Sequence, residues 1–256
     1  MSASSCIKLT SYRDGQIVRL AFDTGSPANA LTMDLLDEFH TTLAEIRRHS
    51  PRVLIITGRA DNFSRGADLK KLPDMGEEFK SYIASEFDLF SIIDDLPFIT
   101  IAALTGTCIG NAAEMALACD FRLATENAKF SLPEVSIGFV APSQRIRRYL
   151  GIGVVKEILL AARMLSAEES KSLGLITRVF PDAGFDASVL AFAEEYAERA
   201  PLAMRATKKG IALSYGFGHA DYSHEREAAY ATYCSEDGKE GFASIREKRK
   251  PVFKGC

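Results

Sequence analysis

The stretch FITIAALTGTCIGNAAEMALACDFRLA, residues 98–124, decides the fold class. Its apolar run Phe98–Leu104 predicts a strand that ends at the turn Thr105-Gly106. A short apolar helix is expected over Asn111–Ala118, and a second strand over Phe121–Ala124. Strands that alternate with helices are joined by right-handed crossovers, so the sequence predicts an α/β fold with a largely parallel sheet.

The same alternation continues on both sides of this stretch. Residues 7–22 carry Asp14-Gly15 between two β-prone runs, which predicts a hairpin. Apolar residues at helical spacing predict a helix over Leu31–Ile46. The continuous apolar run Val53–Thr57 is typical of a strand that is buried on both faces. One more strand is expected at Ala128–Leu132.

After these strands the sequence is mostly helical, apart from one β-prone stretch, Leu175–Phe180. A capping box at Ser166–Glu169 predicts a helix start, and another helix is expected to begin near Pro201. We therefore expect an α/β core over residues 1–200, followed by a helical C-terminal region over residues 201–256.

The composition is that of a globular protein without a strong charge bias. The 256 residues are 47% hydrophobic and 25% charged, with 31 basic and 34 acidic residues and a net charge of −3. A general nucleic-acid binder needs an excess of basic residues, so no nucleic-acid partner is expected. Two small basic clusters, Arg145/Arg147/Arg148 and Lys248–Lys250, are interpreted as solvated helix faces.

The cysteines and the apolar runs bear on the compartment. The five cysteines are scattered and form no CxxC pair, so they are interpreted as free thiols in a reducing compartment, the cytoplasm. Met1–Ser5 shows no signal-peptide pattern, and the longest apolar runs are far shorter than a membrane span, so no membrane association is expected. No metal site is expected either.

A first candidate site is the segment Asn62–Lys70, which follows a buried strand and is expected to open a helix. Gly66 lets the backbone approach a ligand closely. The free amides of a starting helix suit an oxygen that gains negative charge. The alternative is an ordinary loop in which Asp68 serves as a helix N-cap.

The second and third candidate segments each contain one acidic residue. In Thr105–Asp120, Glu114 begins a helix among small residues, either as a reacting group or as the partner of Asn111 in a capping box. In Phe130–Gly138, Glu134 stands at the end of a strand among apolar residues. It is either a general acid or base whose pKa is raised by burial, or a surface loop residue.

In their order and spacing, these segments resemble the crotonase, or enoyl-CoA hydratase, superfamily over nearly the whole chain. The matching pieces are Pro27–Leu31, Phe63–Leu69, Glu114–Asp120, Phe130–Glu134, Ala167–Gly174 and Glu240–Lys250. The resemblance implies a crotonase-like fold with repeated ββα units, a mostly parallel sheet core and a helical C-terminal part. It also implies homotrimers, which often pair into hexamers through that helical part.

The resemblance also implies a role for particular residues. The backbone amides of Ala67 and Asn111 are expected to form an oxyanion hole, although the family usually has glycine at the second position. Glu114 and Glu134 are the expected catalytic pair. The residues expected to bind the substrate and its coenzyme A moiety are Ala67, Asp68, Leu69, Lys70, Gly110 and Asn111.

The reaction implied by both glutamates is addition of water across the 2,3 double bond of a 2-enoyl-CoA thioester. One carboxylate activates the water while the other protonates C2. Alternatives are an isomerase or thioester hydrolase of the same superfamily, or a non-catalytic binding protein. No cofactor is expected, because coenzyme A is part of the acyl-CoA substrate.

Two departures from the family pattern bear on the acyl pocket and the coenzyme A site. The glycine-rich turn usual after Gly138 is replaced by the shorter run Phe139–Arg145. Ser26 stands where the family often has a basic residue near the coenzyme A phosphates, and Arg65 is the candidate to compensate for it.

Overall fold

The computed structural model describes residues 5–214 and 223–252. The strands are β1 (Ile7–Tyr12), β2 (Ile17–Phe22), β3 (Val53–Thr57), β4 (Ile99–Leu104), β5 (Thr107–Ile109), β6 (Phe121–Thr125), β7 (Lys129–Ser131), β8 (Met164–Ser166) and β9 (Arg178–Phe180). The helices are α1 (Met33–His49), α2 (Glu78–Asp94), α3 (Asn111–Ala118), α4 (Ser143–Ile146), α5 (Ile152–Leu160), α6 (Ala167–Ser172), α7 (Phe185–Ala197), α8 (Pro201–Ser214), α9 (Ser223–Cys234) and α10 (Glu236–Glu247). Two 3-10 helices cover Leu72–Asp74 and Glu134–Ile137.

The main sheet has six strands in the order β1-β2-β3-β4-β6-β9. Only β1 and β2 are antiparallel, as the predicted hairpin, and every other neighbouring pair is parallel. All residues of β3 and β4 are buried, because helices cover both faces of the sheet. The predicted α/β fold with a mostly parallel sheet is confirmed.

A second sheet, β5-β7-β8, was only partly predicted. The sequence indicates β7, but β5 lies where a flexible turn was expected and β8 lies where strand signals had almost stopped. Both strands have three residues, which is too short for the alternating pattern by which strands are recognised. β5 pairs in parallel with β7, so it fixes the chain just before α3.

The predicted helix starts outside the candidate segments are confirmed. Thr32 caps α1, whose predicted apolar face is buried against the core. Ser166 and Glu169 form both hydrogen bonds of the capping box at the start of α6. Pro201 is the first residue of α8, where its missing amide hydrogen costs nothing.

The expectation that Asn62–Lys70 opens a helix is wrong. Asp68 instead stabilises a turn, in which its Oδ1 accepts from the Lys70 amide across 3.1 Å. Its carbonyl accepts from the amides of Lys71 and Leu72, which leads into the first 3-10 helix. α2 begins only at Glu78, so Asp68 is not a helix N-cap.

The last two helices fold back over the core. In α9, Tyr233 stacks on Phe79 of α2 with ring centroids 4.0 Å apart. In α10, Gly241 lies so close to the second 3-10 helix that a Cβ there would stand 2.1 Å from the carbonyl oxygen of Ile137. These contacts place α9 beside the surface on which the candidate residues lie.

The described cysteines Cys6, Cys108, Cys119 and Cys234 are free thiols, as expected. Cys108 and Cys119 are buried. Met1–Ser4 and Cys256 lie outside the described residues. Across residues 5–214 and 223–252, no helix has the length and apolar character needed to cross a membrane.

Candidate active site

A cavity opens beside the N-terminus of α3. Its walls come from α2, from the turn after β3, from the segment around the second 3-10 helix and from Ala229 of α9. Most of the surface is apolar, and the residues that supply it include Leu72, Phe79, Ile83, Phe87, Ile137, Phe139 and Val140. Such a lining suits an apolar acyl chain better than a charged ligand.

Gly66 brings two backbone segments together at one edge of this cavity. Its φ of +82° lies in the left-handed region, and a Cβ there would stand 2.8 Å from Ile109 O and 3.2 Å from Asn111 N. A side chain at this position would therefore push the turn away from α3. Only glycine lets Ala67 lie next to the first residue of α3.

The backbone amides of Ala67 and Asn111 are both left available at this edge. Leu31 and Ala67 form a parallel bridge, in which the amide of Leu31 donates to Gly66 O across 2.9 Å. In such a bridge the amide of Ala67 points away from Leu31. Asn111 is the first residue of α3, so its amide has no acceptor within the helix.

The capping-box interpretation of Asn111 and Glu114 is wrong. Gly110 occupies the N-cap position of α3 with φ 61° and ψ −135°, a conformation that side chains disfavour. Glu114 is consequently the fourth residue of the helix and not the third. Gly110 also lies close to Glu134, because a Cβ on it would stand 3.5 Å from Glu134 Oε1.

Glu114 is buried and forms an ion pair that the sequence did not predict. Arg145 Nε donates to Glu114 Oε1 across 3.3 Å, and the Arg145 side chain is fully buried. Arg145 also donates to Asp94, as does Arg148 across 2.8 Å. The interpretation of this basic cluster as a solvated face is therefore wrong for Arg145, although Arg147 is exposed.

A third acidic residue, Glu86 of α2, also faces the cavity and was not anticipated. Its carboxyl accepts from Asn111 Nδ2 across 2.5 Å and lies 2.5 Å from the Tyr82 hydroxyl. Burial away from water raises the pKa of Glu86 to about 8, and the nearby charge of Glu114 adds to the shift. One signal was available: Glu86 is a charged residue on the otherwise apolar face of α2.

The structure gathers most of the predicted site residues around the one cavity, and these are Ala67, Leu69, Gly110, Asn111, Glu114 and Glu134. Arg65, the candidate to compensate for Ser26, lines it as well. Asp68 and Lys70 do not line it, because the turn directs them away from its interior. Within the described ranges, no group of three or more His, Cys, Asp or Glu side chains is placed to hold a metal ion.

The shortened turn after Gly138 forms part of the cavity wall. Phe139, Val140, Ala141 and Pro142 all line it, and the Phe139 ring packs edge-on against Phe79 with centroids 5.8 Å apart. The turn therefore supplies apolar surface where the family usually has glycines.

Comparisons with known proteins agree with this fold. The profile of the family described as enoyl-CoA hydratase/isomerase matches residues 13–256. A probable mitochondrial enoyl-CoA hydratase 2 of Arabidopsis thaliana is 32% identical, over 94% of this chain and 83% of its own. The crystal structure of an enoyl-CoA hydratase from Bacillus anthracis is 30% identical with a TM-score of 0.79, and covers 98% of this chain and 100% of its own.

A methylmalonyl-CoA decarboxylase in complex with 2S-carboxypropyl-CoA is 25% identical with a TM-score of 0.87, over 99% of this chain and 100% of its own. The parallel sheet and the cavity at the start of α3 define a crotonase-fold protein. The chain belongs to the enoyl-CoA hydratase/isomerase family.

Proposed function

We propose that this protein is an enoyl-CoA hydratase, which adds water across the 2,3 double bond of a 2-enoyl-CoA thioester. The observation that carries the proposal is that Glu114 and Glu134 converge with the amides of Ala67 and Asn111 on one apolar cavity. Two carboxyl groups are what the addition of water needs, since one proton must leave the water and one must reach C2.

The amides of Ala67 and Asn111 serve as the oxyanion hole. Attack of water at C3 moves negative charge onto the thioester oxygen and gives an enolate. Two amides held in place by the backbone stabilise that enolate more strongly than they stabilise the substrate, which lowers the barrier. Gly66 sets the distance between the two segments that carry these amides.

The two glutamates divide the proton transfers. Glu114 is held in place by its ion pair with Arg145, and we assign it to orient the water and take its proton. Glu134 lies beside Gly110 at the start of α3, and we assign it to protonate C2 of the enolate. Collapse of the enolate then gives the 3-hydroxyacyl-CoA product.

The coenzyme A moiety extends out of the cavity past the turn after β3. Leu69 lines the cavity, whereas Asp68 and Lys70 lie outside its interior, so we place their contacts on the outer part of coenzyme A. Arg65 is the candidate cation for the phosphates. We further propose that the protein needs no additional cofactor, acts in the cytoplasm and assembles as a homotrimer or hexamer.

Incubation with crotonyl-CoA, and separately with a 3-enoyl-CoA, tests the proposal, and the readouts separate the alternatives. Hydration removes the conjugated enoyl-thioester absorbance without releasing free thiol. A thioester hydrolase of the same family releases free coenzyme A thiol, and an isomerase creates the conjugated absorbance from a 3-enoyl-CoA. Binding of the thioester without any of these changes contradicts the proposal and favours a non-catalytic binding protein.

A further inference from the structure

The side chain of Asn111 poses a steric problem at the oxyanion hole. Its backbone amide faces the cavity as the first amide of α3, so its side chain branches from the very residue whose amide must stay accessible. Left free, the side-chain amide could hydrogen-bond the thioester oxygen itself or fill the space next to the backbone amide. The structure holds it elsewhere, because Nδ2 donates to Glu86 Oε1.

Glu86 is in turn linked to the other half of the hole. The Tyr82 hydroxyl lies 2.8 Å from Leu31 O and 2.5 Å from Glu86 Oε1. Leu31 is the residue that bridges to Ala67, which carries the first amide. A continuous chain of contacts therefore runs from Leu31 through Tyr82 and Glu86 to Asn111.

We propose that Tyr82 and Glu86 of α2, here called the Tyr82–Glu86 link, are positioning residues that hold the two halves of the oxyanion hole in register. The inference rests on the proposed function. It assigns a task to a third carboxyl group in the cavity, one that neither proton transfer of the hydration uses.

Proton counting shows how the link is built. The Tyr82 hydroxyl carries one proton and is the donor in both of its contacts, to Leu31 O and to Glu86 Oε1. Glu86 Oε1 therefore accepts from both Tyr82 and Asn111 Nδ2, and the raised pKa of Glu86 favours a neutral carboxyl group whose proton lies on its other oxygen. A neutral acid suits this buried position because it avoids placing a further negative charge beside Glu114.

The link is mounted on a rigid part of the protein. Tyr82 and Glu86 stand four residues apart, on one face of α2, and both side chains are almost fully buried. Phe79, Ile83 and Phe87 fix the same face in the core. Loss of the link frees the Asn111 side chain without removing either amide.

A double-mutant cycle with Glu86→Leu and Asn111→Gly tests the proposal. We expect Glu86→Leu to lower kcat for crotonyl-CoA hydration by about a hundredfold, the scale seen when one oxyanion donor is lost, with a much smaller change in KM. In the Asn111→Gly background no side chain remains to be held. The loss of kcat caused by Glu86→Leu is therefore expected to be at least about tenfold smaller there than in the wild-type background.

The isosteric Glu86→Gln variant separates positioning from proton donation. The glutamine amide oxygen, in the place of Glu86 Oε1, can accept from both Asn111 Nδ2 and the Tyr82 hydroxyl, so we expect kcat to stay within about tenfold of the wild type. Equal losses from Glu86→Gln and Glu86→Leu would make Glu86 a proton donor and overturn the proposal. Equal costs of Glu86→Leu in both backgrounds of the cycle would overturn it too.

Acetoacetyl-CoA provides a readout that does not require hydration. Its enolate absorbs in the near ultraviolet, and an intact oxyanion hole raises the fraction of bound ligand in that form. We expect the wild-type protein to show this absorbance, Glu86→Leu to lose at least about nine tenths of it and Glu86→Gln to retain it. An inactive wild type that still shows this pattern would refute the hydratase but not the link; equal absorbance in Glu86→Leu would refute the link.

Discussion

Arg145 Nε donates to Glu114 Oε1 across 3.3 Å in the interior of the protein, although 31 residues separate the two in sequence. The Arg145 guanidinium also binds Asp94, so a single cation lies between two acidic side chains. The second interaction anchors Arg145 on α2, and the first fixes Glu114 at the cavity. A residue outside the cavity lining thereby sets the position of a proposed catalytic carboxylate.

Replacing Arg145 by methionine is expected to lower both stability and turnover. Removing one partner of a buried ion pair typically costs about 3–5 kcal/mol in the free energy of unfolding. Here Glu114 loses the cation beside it, whereas Asp94 keeps its contact with Arg148. Urea denaturation measures the loss. Arg147→Met is the matched control, because Arg147 is exposed and its guanidinium donates to a backbone carbonyl, that of Leu150. Similar losses for both variants would contradict the structural role of the buried pair.

Gly66→Ala is expected to reduce hydration by about a hundredfold, the cost of a displacement of about 1 Å between reacting groups. The added Cβ would meet Ile109 O and Asn111 N and would push the two amide-bearing segments apart. Gly25→Ala is the control, since Gly25 also has a positive φ but a Cβ there meets nothing within 4 Å. Steady-state kinetics on both variants check the prediction, and equal turnover would refute this role of Gly66.

The sequence predicts the long elements of this fold well, because their patterns are local. β3 and α3 begin and end where the apolar pattern says they do. β5 is a strand only because β7 lies beside it, and its three residues carry no pattern of their own. Arg145 was misjudged for a related reason, since a charge cluster does not reveal which partners lie across the core.

The candidate site, too, was only partly predictable from the sequence. Order and spacing of motifs indicated Glu114, Glu134 and the two amide positions, and all of these line the cavity. Glu86 belongs to no motif, and its partner Asn111 is 25 residues away. Its place on an apolar helix face was the available hint, but periodicity alone does not show what a buried acid contacts.

The buried carboxyl of Glu86 is expected to make stability depend on pH. Its pKa is raised from 4.5 to about 8 by burial, so between these values the native state holds a proton that the unfolded chain has released. Stability therefore falls as the pH rises through this range, by an amount on the order of a few kcal/mol. Glu86→Gln removes the proton exchange and should lack this decrease.

Urea unfolding of both proteins at several pH values from about 5 to about 9 checks this sign. The stability of Glu86→Gln relative to the wild type should rise with pH. The ionisable groups that act on the Tyr82–Glu86 link are Glu114 and Asp68, and both remain in the variant. Parallel pH curves for the two proteins would show that Glu86 does not bind a proton in this range.

Assembly is expected to involve the exposed apolar side chains of α8. Leu202 is 79% exposed and Ile211 is 57% exposed. We expect light scattering to give a trimer or hexamer, and the combined change Leu202→Glu and Ile211→Glu to give monomers. Leu9→Glu, a change at an exposed leucine of β1, should leave the assembly intact. A monomeric wild-type protein would contradict the expectation.

Glu114→Gln and Glu134→Gln are expected each to lower hydration of crotonyl-CoA by about a hundredfold or more, the usual scale for general acid–base catalysis. Glutamine keeps the shape of each side chain and its hydrogen bonding, so thioester binding should persist and can be measured by titration. Glu195→Gln, at an exposed position of α7, controls for the substitution itself.

The pattern of losses then distinguishes the family's reactions. Damage from both substitutions supports the hydratase, because water addition needs two proton transfers at opposite ends of the double bond. Damage from Glu134→Gln alone indicates an isomerase with one base, and Glu114 then serves only to neutralise Arg145. In that case Glu114→Gln should lower the free energy of unfolding without lowering turnover. If neither variant changes any coenzyme A reaction while both still bind the thioester, the cavity binds acyl-CoA without transforming it.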